Sequence, residues 1–181
     1  MYCIITAPHG HCFVNDVIAA HICESISKEL EIDTDIVCEV LINTLPRSFG
    51  DMNRKETRDT PYRKAIDEAL DERPHPSILL DIHGFPNSTG SPFKGYDMVI
   101  LISRPDQKEI ATKYFNMIRN ITKDTDLKLG LMPATADNDV VNQALECGCP
   151  AVLIEHNESG SPELFAKIHS KALRVIEKWG F

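Results

Sequence analysis

The stretch Ser77-Ile-Leu-Leu-Asp-Ile-His-Gly84 constrains this chain more than any other. Ile78, Leu79, Leu80 and Ile82 form a short apolar run, with Pro76 before it and Gly84 after it. That is the pattern of a strand buried on both faces and ended by a turn. A strand of this kind belongs in a sheet covered on both sides. Asp81 and His83 stand at its C-terminal end, two residues apart and so on one face. Ligands bind at that end of open α/β sheets. An aspartate and a histidine there read as a metal ligand or an acid/base pair, against the alternative of a hydrogen-bonded aspartate and a turn histidine.

The rest of the chain supplies the cover. Tyr2 to Thr6 reads as a first strand, ended by the turn Ala7-Pro8-His9-Gly10-His11. Asn15 or Asp16 then caps a helix to about Glu31, with Ile18, Ile22, Ile26 and Leu30 on its apolar face. Ile36 to Ile42 is a second strand, and Asn43 to Thr60 is a polar loop long enough to suggest a function. Thr60-Pro61 starts a helix to about Glu72. After the central strand come a loop from Phe85 to Gly95, a strand from Asp97 to Ile102 and a helix from Pro105 to Ile121. Leu127 to Met132 reads as a short strand, Asn138 to Cys147 as a short helix stopped by Gly148, and Ala151 to Ile154 as a buried strand delivering Glu155. Ser161-Pro162-Glu163 opens the last helix, with Leu164, Phe165, Ile168, Ala172, Val175 and Ile176 as its core face. Strands and helices alternate without a repeat or a linker. The expectation is one α/β domain over residues 1–181, with a central, largely parallel (mixed) sheet and helices on both faces. Right-handed crossovers would gather the strand ends at one edge.

Composition narrows the functions. At 181 residues the chain can bury one good-sized core, and its 43% hydrophobic and 25% charged residues are those of an ordinary globular protein. A formal net charge of -8 with no basic run argues against nucleic acid as a partner. No apolar stretch is long enough to span a bilayer, and the first residues do not read as a signal peptide. A cytoplasmic protein with reduced cysteines is therefore expected. Cys3, Cys23 and Cys38 fall in apolar patterns as small core residues, and Cys147-Gly-Cys149 is too isolated a pair to make a metal site.

Four short segments carry candidate chemistry. In Pro8-His9-Gly10 a histidine just past a strand, before a glycine that allows close backbone approach, suits a metal ligand or an exposed loop. In Arg47-Ser-Phe-Gly-Asp51-Met-Asn53-Arg54 a guanidinium can take a carboxylate in two hydrogen bonds, Asn53 can donate a third, and Asp51 can orient the arginines. In Asp81-Ile-His83 the aspartate can fix the histidine tautomer from behind. Glu155, emerging from the apolar run Val152-Leu-Ile, suits a general base beside a metal-activated water, or an ion pair with a lysine. Two histidines, a base and an anion clamp, with a carboxylate ligand still to be found, are the parts of a zinc hydrolase cutting an amide next to a carboxylate.

In this order the four motifs resemble the zinc-dependent metallocarboxypeptidase-like superfamily, and within it the N-formylglutamate amidohydrolase and aspartoacylase branches. Pro8-His9-Gly10 looks like the first zinc-ligand turn, and Asp51-Met-Asn53-Arg54 like the Asp-x-Asn-Arg motif for the substrate carboxylate, with Arg47 like the arginine preceding it. Asp81-Ile-His83 resembles the strand with the last zinc ligand, and Ile154-Glu155 the strand with the catalytic glutamate. The resemblance implies the three-layer phosphorylase/hydrolase-like α/β fold. One departure matters. Where the carboxypeptidase and aspartoacylase branches have His-x-x-Glu, this chain has Cys12 three residues after His9. Asp16, just ahead of a helix as in formylglutamate-type sequences, is the preferred replacement, with Cys12 and His11 as alternatives.

The expected function is a zinc-dependent amidohydrolase of the N-formyl- or N-acyl-amino-acid deacylase type. Its Zn²⁺ ligands are His9, His83 and Asp16 (or Cys12), its base is Glu155, and Arg54, Asn53 and Arg47 hold a small carboxylate-bearing substrate. A small C-terminal exopeptidase on the same fold is an alternative. A carboxylate-binding protein without turnover is another. A phosphorylase using Arg47, Arg54 or His9 for phosphate is a third, weakened by the lack of a glycine-rich cradle after the first strand. The sequence does not fix an oligomeric state.

Overall fold

A computed structural model describes residues 1–10, 17–32, 34–45, 50–72, 77–136 and 138–179. In chain order the elements are β1 (Tyr2–Ala7), α1 (Val17–Leu30), β2 (Val37–Ile42), α2 (Pro61–Glu72), β3 (Ser77–Phe85), β4 (Met98–Ile102), α3 (Lys108–Ile121), β5 (Leu129–Pro133), α4 (Asp139–Glu146), β6 (Ala151–Asn157) and α5 (Pro162–Trp179). Among the described residues the strands form one six-stranded sheet in the order β2-β1-β3-β6-β4-β5. The cap expected for α1 at Asn15 or Asp16 lies outside the described residues.

The alternation of side chains along each strand divides the core in two. Ile78, Leu80 and Ile82 face one side with Cys3, Ile5, Val152 and Ile154, under α1, α3 and α5. Leu79 and Phe85 face the other with Ile4, Val99, Leu101 and Leu153, under α2 and α4. Asp81, His83 and Glu155 share the parity of Leu79 and Leu153, so they leave the sheet on the α2/α4 side.

Strands β1, β2, β3 and β6 run parallel, whereas β4 is antiparallel to β6 and parallel to β5. The cause is the connection from β3 to β4. A parallel return needs a crossover, usually a helix, and the chain between Phe85 and Met98 has none, so β4 runs back the other way.

Two strands run past the ends expected for them. A turn was expected at Gly84 and a strand end at Ile154, but the β3–β6 ladder continues through Gly84↔His156 to Phe85↔Asn157. Each strand supplies the other's backbone partners, so the polar run Glu155-His156-Asn157 is extended although its side chains do not read as a strand. In α5 the buried stripe is Phe165, Ile168, Ala172, Leu173 and Ile176, and Leu164 (41% exposed) and Val175 (37%) are not part of it. They lie roughly a third of a turn from its centre. Cys3, Cys23 and Cys149 are buried, and Cys38 is half-buried and Cys147 exposed. No described helix is long and apolar enough to cross a membrane.

Candidate active site

The turn after β1 places His9. Gly10 N–H donates to Ala7 O (3.3 Å), and Asn43, just past β2, pins the turn through its side-chain amide on Pro8 O (2.9 Å). A Cβ on Gly10 would run into Ile42 Cγ2, so the close passage of this turn over β2 requires a glycine. His9 is buried, its ring edge-on to that of His83 with centroids 5.1 Å apart.

The loop after β2 carries the second group. Gly50 takes φ +133°, a conformation that favours glycine, and turns the chain into Asp51. Asp51 Oδ1 accepts the Asn53 N–H (3.0 Å), and Arg54 N–H closes a turn on Asp51 O (3.1 Å). Met52 is buried in the α2/α4 core beneath this loop. The fully buried Arg63 of α2 donates to Met52 O (3.0 Å) and Arg54 O (3.3 Å) from Nη1, and to Asp139 Oδ2 (2.9 Å) from Nη2. Its Nε donates to Gln143 Oε1 (2.8 Å). Arg58 adds a fork of two hydrogen bonds to Asp139 (2.6 and 2.9 Å). Burial would push the Asp139 carboxyl up; Arg58 and Arg63 outweigh that and hold it below the usual carboxylate range.

Asp51 Oδ1 also accepts from His9 Nε2 at 2.7 Å, and its carboxyl is held far below the usual range, first by that hydrogen bond. Asp81, fully buried, accepts from Thr6 Oγ1 (2.6 Å), Asn138 Nδ2 (3.0 Å) and His83 Nε2 (3.0 Å). Burial acts to raise the Asp81 carboxyl, but the His83 imidazole and these three donors prevail and lower it. His83 Nε2 also lies 3.3 Å from Asn53 Nδ2, and one nitrogen cannot donate to Asp81 while accepting from Asn53. The shorter, charge-assisted bond to Asp81 decides. The Asn53 amide, whose Oδ1 is held by Val140 N–H (3.2 Å), rests against the ring. Each imidazole thus has a carboxylate on Nε2. When neutral, it carries its lone pair on Nδ1, the arrangement of histidines oriented for a cation.

His83 and Glu155 are register partners on β3 and β6, so their side chains rise side by side. Both line one cavity of about 190 Å³ with His9, Asp51, Asn53, Arg54 and Asn138. Arg54 remains 41% exposed at its rim, 3.4 Å from Asp51 Oδ2. Among the sequence candidates, His9, His83, Glu155, Asn53 and Arg54 are therefore brought together. Asp16, Cys12 and His11, the three candidates for a further metal ligand, and Arg47 lie outside the described residues. Among the described residues, no three His, Cys, Asp or Glu side chains form a group able to hold a metal. The two imidazoles, each oriented by a carboxylate on Nε2, are of the kind that ligates a cation through Nδ1, and they would supply two ligands of a set; the further candidates lie in the segment that begins one residue beyond Gly10.

No protein-family model and no curated protein sequence matches the chain. Solved structures do. The N-acetylmuramoyl-L-alanine amidase from Clostridium difficile 630 superposes with a TM-score of 0.64 at 14% identity, covering 99% of this chain and 98% of that one. The catalytic domain of CwlV, an N-acetylmuramoyl-L-alanine amidase from Bacillus (Paenibacillus) polymyxa var. colistinus, gives 0.60 at 14% identity over 98% and 99% of the two chains. A metallo-carboxypeptidase from Burkholderia cenocepacia gives 0.63 at 13% identity over 97% of this chain and 56% of that one. The chain has their fold.

Sequence reasoning missed Thr6, Asn138, Arg63, Asp139 and Gln143. In the sequence Asn138 marks only the start of a helix. It caps α4 by accepting Val141 N–H (2.9 Å) and also holds Asp81. Arg63 left one signal, a cation at helical spacing from the buried Ile66 and Leu70.

Proposed function

We propose that this protein is a zinc-dependent amidohydrolase that cleaves an amide next to a carboxylate, with N-formyl- or N-acyl-amino acids as its substrate type. The observation that carries this is the convergence in one small cavity of two carboxylate-backed imidazoles, 5.1 Å apart, with Glu155 in register beside His83. The amidases and the metallo-carboxypeptidase that have this fold are named for amide-bond chemistry, which agrees with it. A cavity of about 190 Å³ suits a small substrate; pockets for drug-sized ligands run to about 300–1,000 Å³.

His9 and His83 would hold Zn²⁺, with Asp16, or Cys12 in its place, completing the set. The bound cation supplies Lewis acidity to the scissile carbonyl and to the attacking water. Asp51 and Asp81 fix the two imidazoles in the tautomer that ligation needs. Arg54 and Asn53, with Arg47, hold the substrate carboxylate, which sets which amide lies under Glu155. Glu155 accepts the proton of the attacking water and returns it to the departing amine.

Metal analysis together with hydrolysis of N-formyl- and N-acetyl-amino acids, with and without added zinc, tests this reading. Bound zinc and release of free amino acid are expected. A protein that takes up no zinc and stays inert when zinc is supplied would overturn it.

A further inference from the structure

The cavity is not uniform. Over the sheet it runs from His9 and His83, above β1 and β3, past Glu155 on β6, to β4 and the segment after β5. Beyond Glu155 the floor is Leu153 and Leu101, register partners on β6 and β4 that are 3% and 5% exposed. Ala134, Thr135 and Ala136, just past β5, line the far side. Phe93 also lines it, its ring edge-on to Phe85 at 5.3 Å. Among the described residues lining the cavity, the one cation is Arg54, on the loop after β2.

We propose that this compartment receives the substrate's amino-acid side chain and selects an aliphatic one over an acidic one. The proposal rests on the amidohydrolase reading and refines its substrate class to N-acyl derivatives of alanine, valine or leucine. With the carboxylate on Arg54 and the scissile amide between His83 and Glu155, the remaining substituent lies over Leu153 and Leu101. An aliphatic group there loses water against CH groups on the floor and walls. A second carboxylate would lose its hydration beside the carboxylate of Glu155, and among the described lining residues no cation other than Arg54 is there to replace it. The N-formylglutamate specificity that the sequence motifs imply is therefore not the one this lining favours. Selection between such substituents in an apolar pocket is worth about tenfold or more.

The experiment compares N-acetyl-L-leucine with N-acetyl-L-glutamate on the zinc-supplemented protein. Calorimetry on Glu155→Gln reads binding, and kcat/KM on the unaltered protein reads turnover. The leucine derivative is expected to bind and react at least about tenfold better. Ala136 is exposed, so Ala136→Arg should keep the fold, checked by its melting curve, and should narrow or reverse the preference. Glutamate bound or cleaved as well as leucine overturns the proposal and leaves the hydrolase reading standing. Leucine-selective binding without hydrolysis does the opposite. A folded Ala136→Arg with an unchanged preference also overturns the proposal. If neither compound binds nor reacts, both readings fall.

Discussion

His83 and Glu155 stand opposite each other on the parallel strands β3 and β6, so a candidate metal ligand and a candidate base leave the sheet on the same face from adjacent positions. The ladder that sets this spacing continues two residues further on each strand, which keeps both side chains off a fraying end. Glu155→Gln preserves shape and removes only the proton acceptor. Turnover should fall by about 10²–10⁴-fold, while zinc content and melting temperature stay as they were. Loss of the metal from this variant would mean that Glu155 is a ligand and not a base.

Arg54 is the clamp in this scheme, and its position at the rim makes it separable from stability. Its pairing with Asp51 is 3.4 Å long and 41% exposed on the arginine side, a contact that contributes little to folding. Arg54→Ala should raise KM roughly 10–100-fold and move stability by no more than about 0.5 kcal/mol. Arg54→Lys should recover part of the affinity, because the charge remains and the two-pronged geometry does not. An unchanged KM for the carboxylate substrate in Arg54→Ala would remove the residue from the site.

What the sequence made legible was what local pattern controls. The helical spacing of Ile18, Ile22, Ile26 and Leu30 placed α1, and all four are buried. The apolar runs at Ile78 and Ala151 placed the two central strands. The features it hid depend on distant partners. Nothing near Phe85 announces that β6 will extend β3, and nothing in β4 announces its direction except the missing crossover helix. Arg63 reads as one more charge on a polar helix, because Asp139 and Gln143 are 76 and 80 residues away. Polar networks are assembled by tertiary contact, and a single sequence has no periodicity that reports them.

That hidden network gives the third prediction. Arg63 is 0% exposed and ties the loop carrying Asn53 and Arg54 to α4. Arg63→Ala leaves the Asp139 carboxylate without one of its two arginines and Met52 O without the Arg63 donor, while Arg54 O keeps the Thr57 N–H and hydroxyl, at a cost of about 3–5 kcal/mol. Urea unfolding should show a lower midpoint at an unchanged slope. Arg63→Lys keeps the charge but cannot span Gln143, Asp139 and the loop together, so it should fold less stably and raise KM through a loosened Arg54. A midpoint for Arg63→Ala within experimental error of the unaltered protein would show that this network does not hold the loop.

Behind the site, on the α1/α3/α5 side, a chain of hydrogen bonds fixes the protonation of two buried histidines. His156 Nδ1–H donates to His83 O (3.2 Å), so His156 Nε2 accepts from His169 Nε2–H (2.8 Å), and His169 Nδ1 accepts the Tyr114 hydroxyl (2.9 Å). Every ring in that chain is neutral. Burial pushes His169 down to about 3 from its ordinary 6.5. Between those values the unfolded chain binds a proton that the folded one refuses, so stability falls as pH drops below about 6.5 and keeps falling toward about 3. By pH 5 the loss from His169 alone is about 2 kcal/mol. Urea midpoints at pH 7 and pH 5 measure it. His169→Gln, which can still accept from Tyr114 and donate to His156 but cannot take up a proton, should lower stability at pH 7 and reduce the dependence between the two, leaving the share of His156, which burial also pushes down. An equally steep loss in the variant would assign the acid sensitivity to other groups.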